Sequence, residues 1–270
     1  MPCHSRQLRR APWKALFNQH ISKMESPEFV LSTLAPAPAP QSSSTPFIPR
    51  ARFCIFRGFW TELPENQHNH AERNPQVYES DLPTFTTDVR MEKVSQIFGT
   101  SQTQGSGGGG PVEAVWWVKD TSTQWRVTGR AFIVAQDIEE DNGSSGVRTV
   151  KSEVGKRMRV VDESKEPDWS WTRELTAIFG NQSPSIQASF KGPPPGKPVT
   201  EPYDSNLQLG AKVEGLHDSI ARQHFRLVII IPDSVEQTNL SDPAKARRFR
   251  YTFDESTRAN AGWRTEELWP

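Results

Sequence analysis

Cysteine is nearly missing from this 270-residue chain: only Cys3 and Cys54 occur, too few for a disulfide framework and in no metal-ligand spacing. A reducing compartment is the expectation. Long apolar runs are missing too. The longest, Leu227-Val228-Ile229-Ile230-Ile231, stops at Pro232 and is far too short to span a bilayer, so it reads as a buried strand. Neither sign of charge dominates: 32 Lys and Arg balance 32 Asp and Glu, which excludes the basic field of a bulk nucleic-acid binder and makes any anion site a local one. Hydrophobic residues make up only 34% beside 22 Pro and 17 Gly, low enough that part of the chain is expected as loop or disorder. No metal site is expected, because His68-Asn69-His70 lacks a third ligand and reads as surface loop.

Short β-like runs are plentiful instead. Strands are expected at Arg52 to Phe56, Thr84 to Thr86, Val112 to Val118, Trp125 to Ala135, Phe225 to Ile231, Val235 to Asn239, Phe249 to Phe253 and Trp263 to Leu268. Eight such strands with few helices predict a mainly β chain, a closed or partly closed barrel. Near the start, Pro12 suits a first helical turn, and Trp13, Leu16, Phe17, His20, Ile21 and Met24 then share one face that packs on the domain. Further helices are expected at Val89 to Phe98, at Trp171 to Phe179 stopped by Gly180, and from Asp242 or Pro243 to Arg247. Residues 1–10 read as a disordered leader and 11–270 as a single domain with insertions near 101–111 and 137–168. Leu34 to Pro49 reads as an exposed connector. The glycine run at Gly105 to Gly110 lacks the Lys-Ser/Thr ending of a phosphate loop and reads as flexible, and 137–168 reads as a grafted loop. No secretory signal is seen. The cytoplasm is the expected location, with the acid-free, Arg-bearing first 24 residues keeping a mitochondrial presequence as the alternative.

The segment Phe85-Thr86-Thr87-Asp88-Val89-Arg90-Met91-Glu92-Lys93 carries the clearest chemical signal. Asp88 is placed to cap a helix, and Arg90 and Lys93, three apart, would share its face. Cations so near a helix N-terminus oppose its dipole, and a bound phosphate would relieve that conflict. The competing reading is a solvated surface on which Asp88 and Glu92 neutralise them.

With Arg52-Phe53-Cys54-Ile55-Phe56-Arg57-Gly58-Phe59 before it, and Gln124-Trp125-Arg126, Arg248-Phe249-Arg250-Tyr251 and the Trp263 to Pro270 ending after it, this segment resembles the pyridoxamine 5′-phosphate oxidase-like family of FMN-binding split barrels. The Thr-Asp-x-Arg form and Phe190-Lys191-Gly192-Pro193-Pro194-Pro195-Gly196 look most like its fungal and cyanobacterial branch. The resemblance implies an FMN-binding split barrel, a homodimer with sites shared between subunits, and no membrane or nucleic-acid partner. It further implies cofactor-binding roles for Arg52, Arg57, Thr86, Thr87, Arg90, Lys93, Gln124 and Arg248, the first group near the phosphate and Gln124 and Arg248 near the ring. Trp116, Trp117 and Trp125 are candidates for the interface, with an intramolecular core as the alternative.

Departures from the family accompany the matches. Met91 replaces a serine hydroxyl, Thr238 a tryptophan, Glu267 an arginine and Gln187 another arginine. Where the family grips a phosphorylated pyridoxine with an Arg-x-His-Asp-Arg stretch, this chain reads Ala244-Lys245-Ala246-Arg247-Arg248. Catalytic residues are therefore unassigned. Three functions stay open: an FMN-dependent oxidoreductase of unidentified substrate, a non-catalytic FMN or haem binder, and a degenerate interaction scaffold.

Overall fold

The computed structural model describes residues 9–38, 46–99, 105–140, 143–255 and 262–270. In chain order the elements are α1 (Lys14–Ile21), β1 (Glu28–Pro36), β2 (Phe47–Phe59), β3 (Tyr78–Ser80), β4 (Pro83–Asp88), α2 (Glu92–Phe98), β5 (Gly107–Val118), β6 (Thr123–Val134), α3 (Ser145–Gly155), β7 (Met158–Val160), α4 (Trp171–Gly180), α5 (Pro184–Ser189), α6 (Ser219–His224), β8 (Phe225–Asn239), β9 (Arg247–Asp254) and β10 (Gly262–Leu268). The eight-stranded sheet runs β10-β9-β8-β4-β2-β1-β5-β6, and a further β6–β8 pairing closes six of its strands into a barrel. The strand β8 makes the split. Its first half pairs with β4 (Thr84 opposite Ile229), its second half leaves β4 for β9 (Ser234 opposite Thr252), and β6 follows it throughout. At the bend, Gly129 of β6 lies so close to β8 that an added Cβ would meet the Ile231 carbonyl oxygen at 2.1 Å.

The apolar run of β8 is buried on both faces, which is why it is continuous rather than alternating. Val228 and Ile230 enter the barrel interior with Phe29, Phe56, Phe85, Trp116 and Trp125. Leu227, Ile229 and Ile231 enter a second core outside the barrel, against Val147, Val150 and Val154 of α3 and Leu175, Ile178 and Phe179 of α4. Helix α1 plugs the barrel as the periodicity predicts: Trp13 and Phe17 are fully buried, and Phe17 meets Phe56, Trp116 and Trp125 edge-on. Among the described residues no helix is long and apolar enough to cross a membrane.

Several expectations need correction. Residues 137–168 are not a loop: they hold α3 and β7, because Val147, Val150 and Val154 form a buried stripe at helical spacing and Ser144 caps the helix through the Val147 N–H. Gly107 to Gly110 belong to β5, where Gly108 and Gly109 have φ of +104° and +111° and a Cβ on Gly110 would strike the Ile97 carbonyl of α2 at 2.6 Å. The glycines there permit close packing rather than flexibility. Leu34–Pro36 and Phe47–Pro49 pair as strand ends of β1 and β2, the Ala37 N–H bonds the Pro46 carbonyl beyond them, and residues 39–45 of that connector lie outside the described residues. Where a helix from Asp242 or Pro243 to Arg247 is expected, Pro243–Lys245 form a short 3₁₀ turn and Arg247 begins β9, and the two strands expected between Phe225 and Asn239 are one. Of the leader, residues 1–8 lie outside the described residues, while Arg10 pairs with Glu79.

One packing contact predicts a pH response. His20 Nδ1 accepts the Trp125 indole N–H at 3.1 Å, so the ring must stay neutral, and burial, with Lys23 adding, lowers its proton affinity. Because the folded pKa lies below the unfolded value of 6.5, this contribution to stability is complete above that pH and declines as pH falls through it. Thermal unfolding between pH 8 and 5 is expected to show a loss that the His20→Phe variant lacks. Equal losses in both proteins would remove His20 from the account.

Candidate functional site

The eight residues singled out from the sequence do not converge on one point. They fall into three groups, with Arg90 standing apart, and on the strands the two-residue alternation does the sorting.

Arg52, Thr87 and Lys93 come together where α2 closes one end of the barrel. Arg52 lies on the same side of β2 as Cys54 and Phe56, and it extends Nη1 to Thr33 Oγ1 (2.6 Å) and Nη2 to Gln96 Oε1 (2.8 Å). Lys93, 9% exposed, sets its ammonium 3.1 Å from Thr87 Oγ1 and 2.7 Å from Met91 Sδ. Burial lowers the proton affinity of Lys93, and Arg52 depresses it further; burial also lowers that of Arg52. Burial pushes the Cys54 thiol up, which leaves it neutral between the two cations. The hydrogen-bond partners of both cations are neutral, and among the described residues neither forms an ion pair. Asp88 and Glu92 offset this only from a distance, and a buried ammonium beside a half-buried guanidinium is costly unless an anion joins them. Gln96 and Thr33, which orient Arg52, were not singled out from sequence; Gln96 follows Lys93 by three residues and so faces the same way on the helix.

Arg90 departs from the expected arrangement. Asp88 ends β4 and caps nothing; Met91 takes the N-cap position of α2 without a side-chain bond, so Arg90 precedes the helix and shares no face with Lys93. Its guanidinium grips Asp88 (Nη2 to Oδ2, 2.6 Å; Nε to Oδ1, 2.9 Å) and donates to the Gly192 carbonyl at 3.0 Å. Two sequence features that carried the family resemblance, Thr-Asp-x-Arg and Phe190 to Gly196, are thus joined by this clasp. Lys191 strengthens it through Asp218, whose pKa falls to about 2: burial opposes the shift, and bonds from the Ala221 N–H, Lys191 and the Glu214 N–H outweigh it.

Arg57 and Thr86 lie on the opposite face of their strands. Thr86 Oγ1 is 3.4 Å from Gln182 Oε1, and Gln182 and Arg57 both border a cavity of about 510 Å³ with mainly apolar walls from Ile21, Met24, Phe56, Leu63 and Pro64. Arg57 Nε is buried and has no hydrogen-bond partner among the described residues, and burial lowers the guanidinium's proton affinity.

Gln124 and Arg248 flank Thr238 in one row across β6, β8 and β9. Arg248 and Arg250 (2.8 Å) both bind Glu236, whose carboxyl is held below its ordinary range: burial would raise it, and the two guanidinium groups prevail. Trp117, 49% exposed, stands beside Gln124 on β5, whereas Trp116 and Trp125 are fully buried in the barrel and leave the list of interface candidates. Phe53 of β2 is 75% exposed on the outward side, opposite Val30 of β1.

Residues 10–135 match the family model described as pyridoxamine 5′-phosphate oxidase, FMN-binding domain. Among solved structures, the chain is similar to a pyridoxamine 5′-phosphate oxidase-related, FMN binding protein from Nostoc punctiforme, with 17% identity, 97% of this chain and 100% of that one covered, and a TM-score of 0.61. It also resembles PhzG from Burkholderia lata, solved with tetrahydrophenazine-1-carboxylic acid, at 14% identity over 97% and 94% of the two chains with a TM-score of 0.47. None of the curated proteins compared matches the sequence significantly. At such identities the structural likeness speaks for the fold.

Proposed function

We propose that the chain is a flavin-dependent oxidoreductase of the pyridoxamine 5′-phosphate oxidase-like family with FMN as its cofactor, a reading supported by the family-model match over residues 10–135. The observation that supports the cofactor is the cation pair: Lys93 is buried beside Thr87 and Arg52 is half-buried nearby, and the hydrogen bonds of both go to neutral groups among the described residues. A phosphate monoester carries the charge they lack, and Arg is well shaped to receive it. When bound, FMN supplies two-electron transfer between a small substrate and a second acceptor. The protein's own part is to hold the phosphate with Lys93, Arg52 and Thr87 and to keep water from that end of the barrel with α2. Arg57, beside the apolar cavity, is suited to a substrate that combines an anionic group with an apolar body. Arg90 supports the site by clasping the Phe190 to Gly196 segment instead of meeting the phosphate. FMN is expected to bind more tightly than riboflavin by isothermal titration; equal affinity would dismiss the phosphate site.

The exposed Phe53 and Trp117 favour a homodimer. A two-fold interface on this outward face would bury both and set Gln124 and Arg248 of one subunit against the other, in keeping with a site shared between chains. Sedimentation velocity read at the flavin absorbance is expected to show a dimer, with Phe53→Asp shifting it toward monomer. A wild-type monomer holding stoichiometric FMN would return Gln124 and Arg248 to structural roles. The cytoplasm remains the proposed location.

A further inference from the structure

The segment 137–168 builds a second site away from the flavin residues. Helix α3 and strand β7, which pairs with β3, enclose with Trp169 and Trp171 a cavity of about 460 Å³. Its walls include Tyr78, Met158, Trp169 and Trp171, with Glu166 and Lys151 bordering it. The rings are set at right angles: Tyr78 and Trp169 have centroids 5.0 Å apart at 88°, Trp169 and Trp171 5.5 Å apart at 80°. All three are partly exposed, unlike the aromatic residues of the barrel interior. Tyr78 donates its hydroxyl to Glu166 at 2.5 Å, which fixes the ring and holds a carboxylate beside it.

These surroundings select a ligand. Ring faces carry negative quadrupole potential, and several of them beside a carboxylate attract a cation that is large and weakly hydrated, which describes a methylated ammonium better than a bare amine or a metal ion. Met158 adds a polarizable apolar surface for methyl groups. Lys151 would repel a simple cation but pairs with a carboxylate carried on the same ligand. We propose that this cavity binds a small betaine, a quaternary ammonium group linked through a short spacer to a carboxylate, with the ammonium against Trp169, Trp171 and Tyr78 and the carboxylate toward Lys151. The site draws on none of the residues assigned to FMN, so it stands or falls independently of the flavin.

Glycine betaine is the probe, compared with 3,3-dimethylbutanoate, which keeps its shape and carboxylate and replaces the charged nitrogen by carbon. Titration followed by tryptophan fluorescence and calorimetry on the full chain is expected to show saturable binding of glycine betaine and at least roughly tenfold weaker binding of the isostere. Trp169→Leu is expected to abolish the signal. Because Trp169 also touches the buried Trp60, the exposed Glu166→Gln serves as the variant that leaves packing intact, and it is expected to weaken glycine betaine several-fold while FMN affinity stays unchanged. Equal binding of the two probes would make the cavity a mere apolar slot. That result, unaltered affinity in Glu166→Gln, or no saturation by glycine betaine up to about 100 mM, a weak-binding ceiling of about 1.4 kcal/mol, would overturn the proposal.

Discussion

Lys93→Ala is expected to weaken FMN binding by about 1.5–3 kcal/mol, roughly 10- to 150-fold in dissociation constant, the range for a hydrogen bond to a charged group. The same substitution is expected to leave the unliganded protein as stable as before or more so, because it removes a buried ammonium whose hydrogen-bond partners among the described residues are the Thr87 hydroxyl and the Met91 sulfur. Opposite signs for binding and stability distinguish a ligand-binding lysine from a structural one. Arg90→Ala serves as the contrast: it breaks the clasp from Asp88 to Gly192, so stability should fall and FMN affinity should follow only through loosening of the segment. Isothermal titration and thermal unfolding on both variants provide the readings. Loss of stability in Lys93→Ala with unchanged FMN affinity would assign Lys93 to the fold.

Five of the six barrel strands were legible from their apolar patterns, β8 because a five-residue apolar run ending at Pro232 has few other readings, whereas β1 (Glu28–Pro36) was not among the strands expected. The helix α3 was hidden by its setting. Three valines at helical spacing, scattered through mixed charge next to Asn-Gly-Ser-Ser-Gly, give a weak periodic signal, and what they pack against, the outer face of β8, lies more than 70 positions later. The Gly107 to Gly110 run shows a related limit, since local composition says permissive backbone and the close approach of α2 determines its use. At the candidate site, the family pattern pointed to Arg52, Thr87 and Lys93, and the structure sets the Lys93 ammonium beside the Thr87 hydroxyl. That Arg90 turns to Asp88 was not, because Asp88 could equally have capped the helix; the backbone choice of Met91 as N-cap decides between them. Glu267 shows a substitution explained only in three dimensions: where the family carries an arginine, it accepts both Nε and Nη2 of Arg247 across the β9–β10 pair.

Turnover of pyridoxine or pyridoxamine 5′-phosphate is expected to be at least roughly a thousandfold below that of an oxidase with its substrate grip intact, since each 1.36 kcal/mol of lost transition-state binding is about tenfold and two charged partners are absent. Ala244 and Ala246 occupy the positions concerned, in the 3₁₀ turn that leads into β9. The neighbouring cations do not replace them. Arg247 is bound by Glu267 at 2.8 Å, Arg248 by Glu236, and Lys245 is exposed at 3.8 Å from Asp242. A phosphate arriving here would have to displace a carboxylate from each guanidinium, and the Arg247–Glu267 pair holds two donors in fixed geometry. Steady-state oxygen uptake with the FMN-loaded protein measures the effect, and the double substitution Ala244→Arg, Ala246→His tests its origin by partial restoration. Robust turnover by the unmodified chain would mean that Arg247 abandons Glu267 to take the substrate. Glu267→Gln would then raise the rate further by freeing that guanidinium, whereas a site that does not use Arg247 would leave it unchanged.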